Sequence, residues 1–403
     1  MAATDNVALG LEVPVGEIDR ELRKLWEADE ASTNASLMNL AVYSEEPDSL
    51  VGNSERIREL TREHACRAIL IGMEREGPVA EVHSWITAHC HLAHGRKSVC
   101  CEQLAFLLRG RAVGRMRNTV FAHLASDLPL VFWWQGELTE IFEERLYRII
   151  DRLVFDSAEW ADPLAGFARI LEALADTGGR MVTQDLSWTR TYHFRMALAA
   201  LFDDPVAQRA LPDVGTVRIV AHPANRLSAL MMLAWLAEQA QWRPALHPPR
   251  TEDGERVVFE SSERKEIRAE IVWDDTAAPL GLVELESPGC RVAVKRDVAE
   301  STLVQQLGCP SHTVEQIAPA DGLEPEELVA DQLSRGGKNS LFLKVLPVLQ
   351  GLRLTLRCIS TNSRLLNLVV TLMFTLPIWS GLRFCLARKG RFSAQARRQA
   401  LCV

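Results

Sequence analysis

After Asp331 this 403-residue sequence contains no aspartate or glutamate, and twelve Lys or Arg stand unopposed across the last 72 positions. The preceding 331 residues are the reverse, with 33 basic against 53 acidic side chains, so a net of −20 lies behind the overall −8. A body that acidic lacks the cationic face that duplex binding needs, which sets nucleic acid aside as a main partner. Catalytic signatures are missing too. There is no GxGxxG, GxSxG or HExxH, and Ser334–Ser340 (SRGGKNS) has glycines and a lysine without phosphate-loop spacing or a preceding strand. No cofactor is therefore expected. Met1–Gly16 has neither a basic start nor an apolar core, so no signal peptide is expected. The nine cysteines are odd in number and show no framework spacing, which predicts free thiols in a reducing cytoplasm. Internal repeats and low-complexity tracts are absent.

What remains is an ordinary globular composition, 47% hydrophobic and 24% charged. The spacing predicts a helix through Ile18, Leu22, Leu25 and Trp26, then strands at Leu37–Tyr43 and Cys66–Met73 around a helix capped by Asn53 or Ser54. Val82–His91 and Ser98–Leu108 predict a hairpin turning at Gly95, and Leu128–Trp134 a strand covered on both faces. A helix opening at Thr139 and running toward Leu153 precedes a short strand at Val154–Asp156. Asp162-Pro163 starts another helix. Gly178-Gly179 is the clearest break. After it come Trp188–Leu201 and Asn225–Ala240 as helices and Thr216–Ala221 as a strand. Arg256–Glu260, Glu266–Trp273, Gly281–Glu286 and Arg291–Lys295 follow as successive antiparallel strands, then Glu324–Ser334 as a helix. The expected fold is a two-domain α/β protein: 1–177 as an N-terminal α/β domain, 178–351 as a mixed α/β domain with a β-meander, and 352–403 as a basic tail.

Chemistry-bearing residues concentrate between Ser84 and Gln103, where His89, Cys90, His91, His94, Cys100 and Cys101 fall in one short span. These are side chains that zinc accepts, with His89, His91 and Cys100 as the weak metal candidates. The spacing lacks a CxxC, and on a strand Cys90 points away from His89 and His91. A reactive thiol at Cys100 or Cys101 beside a histidine is a second reading. A polar hairpin with buried thiols is the third. Trp133 and Trp134 end a predicted central strand before Gln135-Gly136, where α/β proteins place contacts. Two readings stand side by side: both tryptophans are core residues, or one plugs the core while the other serves as a partner anchor.

Several blocks in order resemble the glucose-6-phosphate dehydrogenase assembly proteins of the OpcA type. They are Ala65-Cys66-Arg67, Ala88-His89-Cys90-His91-Leu92, Val99-Cys100-Cys101-Glu102-Gln103 and Asp127–Gly136 (DLPLVFWWQG), followed by Arg152–Ser157 (RLVFDS) and Asp185–Trp188 (DLSW). The resemblance covers roughly residues 50–345. It implies a protein without catalysis of its own that binds glucose-6-phosphate dehydrogenase and promotes its active assembly, feeding the oxidative pentose phosphate pathway and NADPH supply. Trp133, Trp134, Gln135 and Trp188 are then the partner-binding candidates. Thiol redox control, associated with photosynthetic members, makes Cys100 and Cys101 the redox candidates. A metal- or thiol-dependent enzyme built on His89–Cys101, and a sugar-phosphate or NADP sensor, are the alternatives. The tail departs from the family. Leu365–Leu382 is an 18-residue uncharged run, interrupted by Asn367, Thr371, Thr375, Pro377, Ser380 and Gly381. It reads as a membrane-associating segment, a disordered basic extension or an altered-frame translation.

Overall fold

A computed structural model of the chain describes residues 8–27, 36–76, 78–93, 96–245, 255–335 and 340–360. The uncharged run at 365–382, His94 and Gly95 lie outside them. Two eight-stranded sheets dominate, so the class is mixed α/β as expected. The first sheet comprises β1 (Leu11–Glu12), β2 (Asn39–Ser44), β3 (Arg67–Glu74), β4 (Ala80–Ala93), β5 (Arg96–Gly110), β6 (Leu130–Trp134), β7 (Arg152–Phe155) and β8 (Val182–Asp185), in spatial order β1-β4-β5-β3-β2-β6-β7-β8. Strands β5 through β8 in that row run parallel, and β4 returns antiparallel to β5 as the predicted hairpin.

The buried runs form strands because both faces are covered. Leu40, Ala41, Val42 and Tyr43 are each wholly buried, the pattern of a parallel sheet clothed by helices. One face meets the helices Ser49–Leu60 and Pro325–Ser334, through Leu50, Ile57, Leu60, Leu328 and Val329. The other joins a core continuous with the second sheet. The helix Arg226–Gln239 lies within that core. Every residue from Leu227 to Ala237 is buried, and a helix apolar all round needs neighbours on all sides. It finds them in β9 (Thr216–Ala221), the turn at Leu186–Thr189 and the helix Ser340–Ser360.

The second sheet adds β10 (Arg243–Pro244), β11 (Glu255–Glu260), β12 (Glu266–Trp273), β13 (Leu282–Ser287), β14 (Cys290–Asp297), β15 (Thr302–Cys309) and β16 (His312–Pro319). Its order is β10-β11-β12-β9-β13-β14-β15-β16. The expected meander is thus split. β9 inserts between β12 and β13, parallel to the first and antiparallel to the second. β15 and β16, which the sequence reading passed over, extend it.

Three local expectations are corrected. The second helix begins at Ser49, with Asn53 and Ser54 inside it; both are buried and hydrogen-bonded across to the sheet. No long helix follows Thr139. Only Glu144–Tyr147 is helical, because the Arg169 guanidinium donates to the carbonyls of Leu138, Thr139 and Phe142 and satisfies an open turn. The stretch Trp188–Leu201 is broken into Leu186–Thr189 and Tyr192–Phe202. The helix at Pro163–Asp176 forms as read: Asp162 accepts from the Leu164 and Ala165 amides, and Gly178 and Gly179 end it with positive φ. The first sheet nevertheless continues past 177, since β8 follows that glycine pair.

Candidate functional site

The His/Cys stretch occupies the hairpin β4–β5, with His89 opposite Cys101 and Cys90 opposite Cys100. Directly opposed residues on antiparallel strands bring their side chains together, and Cys90 and Cys100 form a disulfide. Cys290 and Cys309, at the adjoining ends of β14 and β15, form another. The expectation of free thiols is therefore corrected for these four. It holds for Cys66 and Cys101, both buried. Burial raises both thiols' pKa values, leaving little thiolate at neutral pH. Cys100 is neither a free nucleophile nor a metal thiolate.

His89 and His91 lie on the face of β4 turned toward the helix Ser49–Leu60. Gln103 donates to Ser54 Oγ and accepts from His89 Nε2 at 2.9 Å. Thr61 Oγ1 donates to the Arg58 carbonyl and lies 2.9 Å from His91 Nε2, so the imidazole supplies that proton. Arg58 and Arg62, at the end of the helix and just beyond it, overhang the pair and line with them a cavity of about 400 Å³. Both imidazoles are held below their ordinary pKa, first by burial. The Arg58 and His91 charges add to this at His89, and Arg62 does so at His91. The two guanidiniums standing over the imidazoles do not suit a metal ion.

The tryptophan candidates are in the core. Trp133 is 2% exposed, Trp134 0% and Trp188 2%. Trp133 packs under the helices Ser49–Leu60 and Pro325–Ser334. Trp134, on the opposite face, packs with its ring centroid 4.2 Å from that of Tyr43, the planes tilted by 35°, and donates its indole N–H to Glu137 O. Trp188 lies beneath the Arg195 guanidinium, 3.6 Å away. None is available as an anchor in this conformation, which corrects the anchor reading and leaves Trp133 and Trp134 as core residues. Gln135 exchanges two hydrogen bonds of 2.9 Å with Asn53, tying β6 to the second helix.

Two polar clusters escaped the sequence reading. At the carboxyl ends of β7 and β8, Phe155-Asp156-Ser157 meets Asp185-Leu186-Ser187. Ser157 Oγ donates to Asp185 and Ser187 Oγ donates to Asp156, while Arg190 pairs with Asp156 at 2.6 Å. Two segments that carried the family resemblance thus clasp each other. Burial, with the Asp156 charge, pushes the Asp185 carboxyl up to about 7. The second cluster gathers His193, Asp321 and Asp331, with potential ligand atoms within 4.8 Å of one another. Asp321 accepts the His193 backbone N–H, and Arg335 pairs with Asp331 at 2.8 Å. The charges of Arg195, Arg296 and Arg335 act on Asp321. A cation would meet three guanidiniums, so this group does not fit a metal.

The outer face of the second sheet is bare among the described residues. Register aligns Arg256, Glu270, Arg218, Glu284, Ala293, Gln306 and Glu315 in one row across seven strands. Beside it run Val272, Val220, Leu282, Lys295, Val304 and Ile317, the last 73% exposed. A cleft of about 490 Å³ opens on this face among Arg218, Arg256, Arg268 and Glu270.

The chain matches the glucose-6-phosphate dehydrogenase subunit N-terminal domain over residues 57–172 and the corresponding C-terminal domain over residues 181–346. Those matches divide close to Gly178-Gly179, although β8 carries the first sheet beyond that point. A relative from Nostoc punctiforme, named as an OxPP cycle protein OpcA, is 25% identical over 311 residues, covering 72% of this chain and 65% of its own length. One of the same name from Synechococcus elongatus is 24% identical over 315 residues, covering 72% and 68%. This chain thus spans about two thirds of these relatives. A 3-ketoreductase from Actinomadura kijaniata, KijD10, superposes with a TM-score of 0.45 at 10% identity over 79% of this chain and 97% of that one, too distant to speak to activity. On its two matched domains, this chain belongs to the OpcA family of glucose-6-phosphate dehydrogenase assembly proteins.

Proposed function

We propose that this chain acts in the cytoplasm by binding glucose-6-phosphate dehydrogenase and favouring its active oligomer, as a non-catalytic activator in the oxidative pentose phosphate pathway. The observation that carries the reading is the bare outer face of the second sheet. Seven strands at about 4.8 Å spacing, each of six to eight residues, present roughly 700 Å², close to the ~800 Å² per partner of a stable protein interface. Its apolar row is bordered by charged side chains, the composition of a docking patch with a polar rim. Activation needs no chemistry from the binder: a partner that binds the active assembly better than other states shifts the equilibrium by that difference, typically about 1–3 kcal/mol. The test is dehydrogenase activity and oligomeric state with and without this chain, and with Arg218→Glu/Arg256→Glu. Stimulation by the parent and its loss in a variant of unchanged melting temperature is expected; no stimulation by either sinks the proposal.

The Cys90–Cys100 disulfide favours redox control of that activity, since disulfides in a reducing compartment tend to be switches rather than staples. The hairpin that carries it is tied to the second helix through His89, Gln103 and Ser54. Dithiothreitol is expected to change activation by the parent chain and not by Cys90→Ser.

A further inference from the structure

The cavity between the second helix and the β4–β5 hairpin sets two guanidiniums on one wall against two imidazoles on the other. Arg58 and Arg62 stand one turn apart above it, while His89 and His91, two residues apart on β4, line the facing wall. Two guanidiniums that close repel each other unless something anionic is present. Glu59 partly supplies it, reaching Arg62 at 3.0 Å and Arg58 only at 3.7 Å, with both arginines more than half exposed. We propose that this cavity binds the phosphate group of a small phosphorylated metabolite, the two guanidiniums holding it against the wall that His89 and His91 line.

Phosphate suits the geometry better than a carboxylate does. A tetrahedral dianion offers acceptors in several directions and can meet both guanidiniums at once, whereas a planar carboxylate satisfies one guanidinium fork. Guanidiniums are also the side chains best matched to phosphate oxygens. The volume of about 400 Å³ leaves room for an organic group beyond the phosphate and falls in the range of small-molecule sites. The guanidinium pair rules against a metal cation in the same space. His89 connects the site to the interior: its ring meets Gln103, Gln103 meets Ser54, and Ser54 Oγ donates to the Ala8 carbonyl. Occupancy thus bears on the hydrogen bonds that join the hairpin to the helix.

This inference does not depend on the partner reading, because it is tested on the isolated full-length chain. Calorimetric titration with inorganic phosphate and, separately, with glucose 6-phosphate is expected to give saturable one-site binding. Arg58→Gln/Arg62→Gln is expected to weaken it at least tenfold, while Arg209→Gln, an exposed arginine elsewhere, leaves it unchanged. Glu59→Gln, which removes the competing carboxylate, is expected to tighten it. Tighter binding of the sugar phosphate identifies a metabolite, and equal binding identifies the free anion as the source. Absence of saturable binding by either ligand, or equal affinity in the double arginine variant with its melting temperature preserved, overturns the proposal.

Discussion

Asp185 sits wholly buried with three donors aimed at its carboxyl: the Ser157 amide, the Ser187 amide and Ser157 Oγ. Burial outweighs them and lifts its pKa from 3.8 to about 7. A carboxyl with a raised folded-state value holds its proton in the fold while the unfolded chain releases it, so its contribution to stability declines as pH rises from about 4 to about 7. Asn at this position keeps one acceptor oxygen for the Ser157 and Ser187 amides and supplies an NH2 donor toward Ser157 Oγ. The stability of Asp185→Asn relative to the parent is therefore expected to increase across that window in urea titrations; a pH-independent difference would mean that Asp185 is ionised in the fold. Gly166 offers a test decided by two opposing magnitudes. Alanine in a helix gains about 1 kcal/mol over glycine, but a Cβ here meets the Trp160 ring at 2.2 Å. Overpacking of that kind costs about 1–3 kcal/mol, so Gly166→Ala is expected to lower the melting temperature. The residue types at both positions were legible in the sequence. Their neighbours were not, because Ser157 and Trp160 are brought to them by folding.

Among the elements, the hairpin and the covered strands were readable because short length, flanking turn residues and β-branched or aromatic content separate a buried strand from a helix. The segment after Thr139 was misread for a physical reason. Its apolar spacing fits a helix, yet Asp151 is claimed by β6, whose Leu130 amide donates to its carboxylate at 2.8 Å, and Arg169 takes the carbonyls a helix would have used. Arg169→Met removes those charge-assisted bonds, each worth about 1.5–3 kcal/mol where partly buried, and is expected to lower stability with increased amide exchange across 138–147. The Cys290–Cys309 bridge closes a hairpin with a sequence separation of 19. Chain-entropy arguments give a loop of that size ~3 kcal/mol. Cys290→Ser/Cys309→Ser is expected to lose up to that amount in denaturant unfolding, with no effect on dehydrogenase activation if the bridge is purely structural.

On the scale of the whole molecule, the two sheets are joined by segments remote in sequence. Phe342 from the final described helix rests against Trp188 and Phe167, with Val345, Leu346, Leu349 and Leu352 buried behind it. The preceding helix returns to the first sheet, where the Gln332 carbonyl accepts from Arg152 and the Gln332 side chain donates to Thr189. A chain ending at Arg335 uncovers the helix Arg226–Gln239 and is expected to be unstable or insoluble. One ending at Ser360 is expected to melt as a single cooperative unit. Equal stability of the two truncations would show that the closing helix is dispensable. Among the described residues no helix is long and apolar enough to cross a membrane.

Local pattern was enough to determine the mixed α/β class, most strands and the capped helices, since burial periodicity, Asp162-Pro163 and Gly178-Gly179 act within a few residues of themselves. The order of blocks from Ala65 to Trp188 was enough for the family. Tertiary structure alone decided that both strand-end tryptophans are core residues, because a sheet covered on two faces leaves neither side for an anchor. It also decided that Cys100 pairs with Cys90, and that β9 splits the meander to leave one broad face bare. Each of these is set by register between distant strands, and register is a property of which surfaces must be buried together, which no local stretch carries.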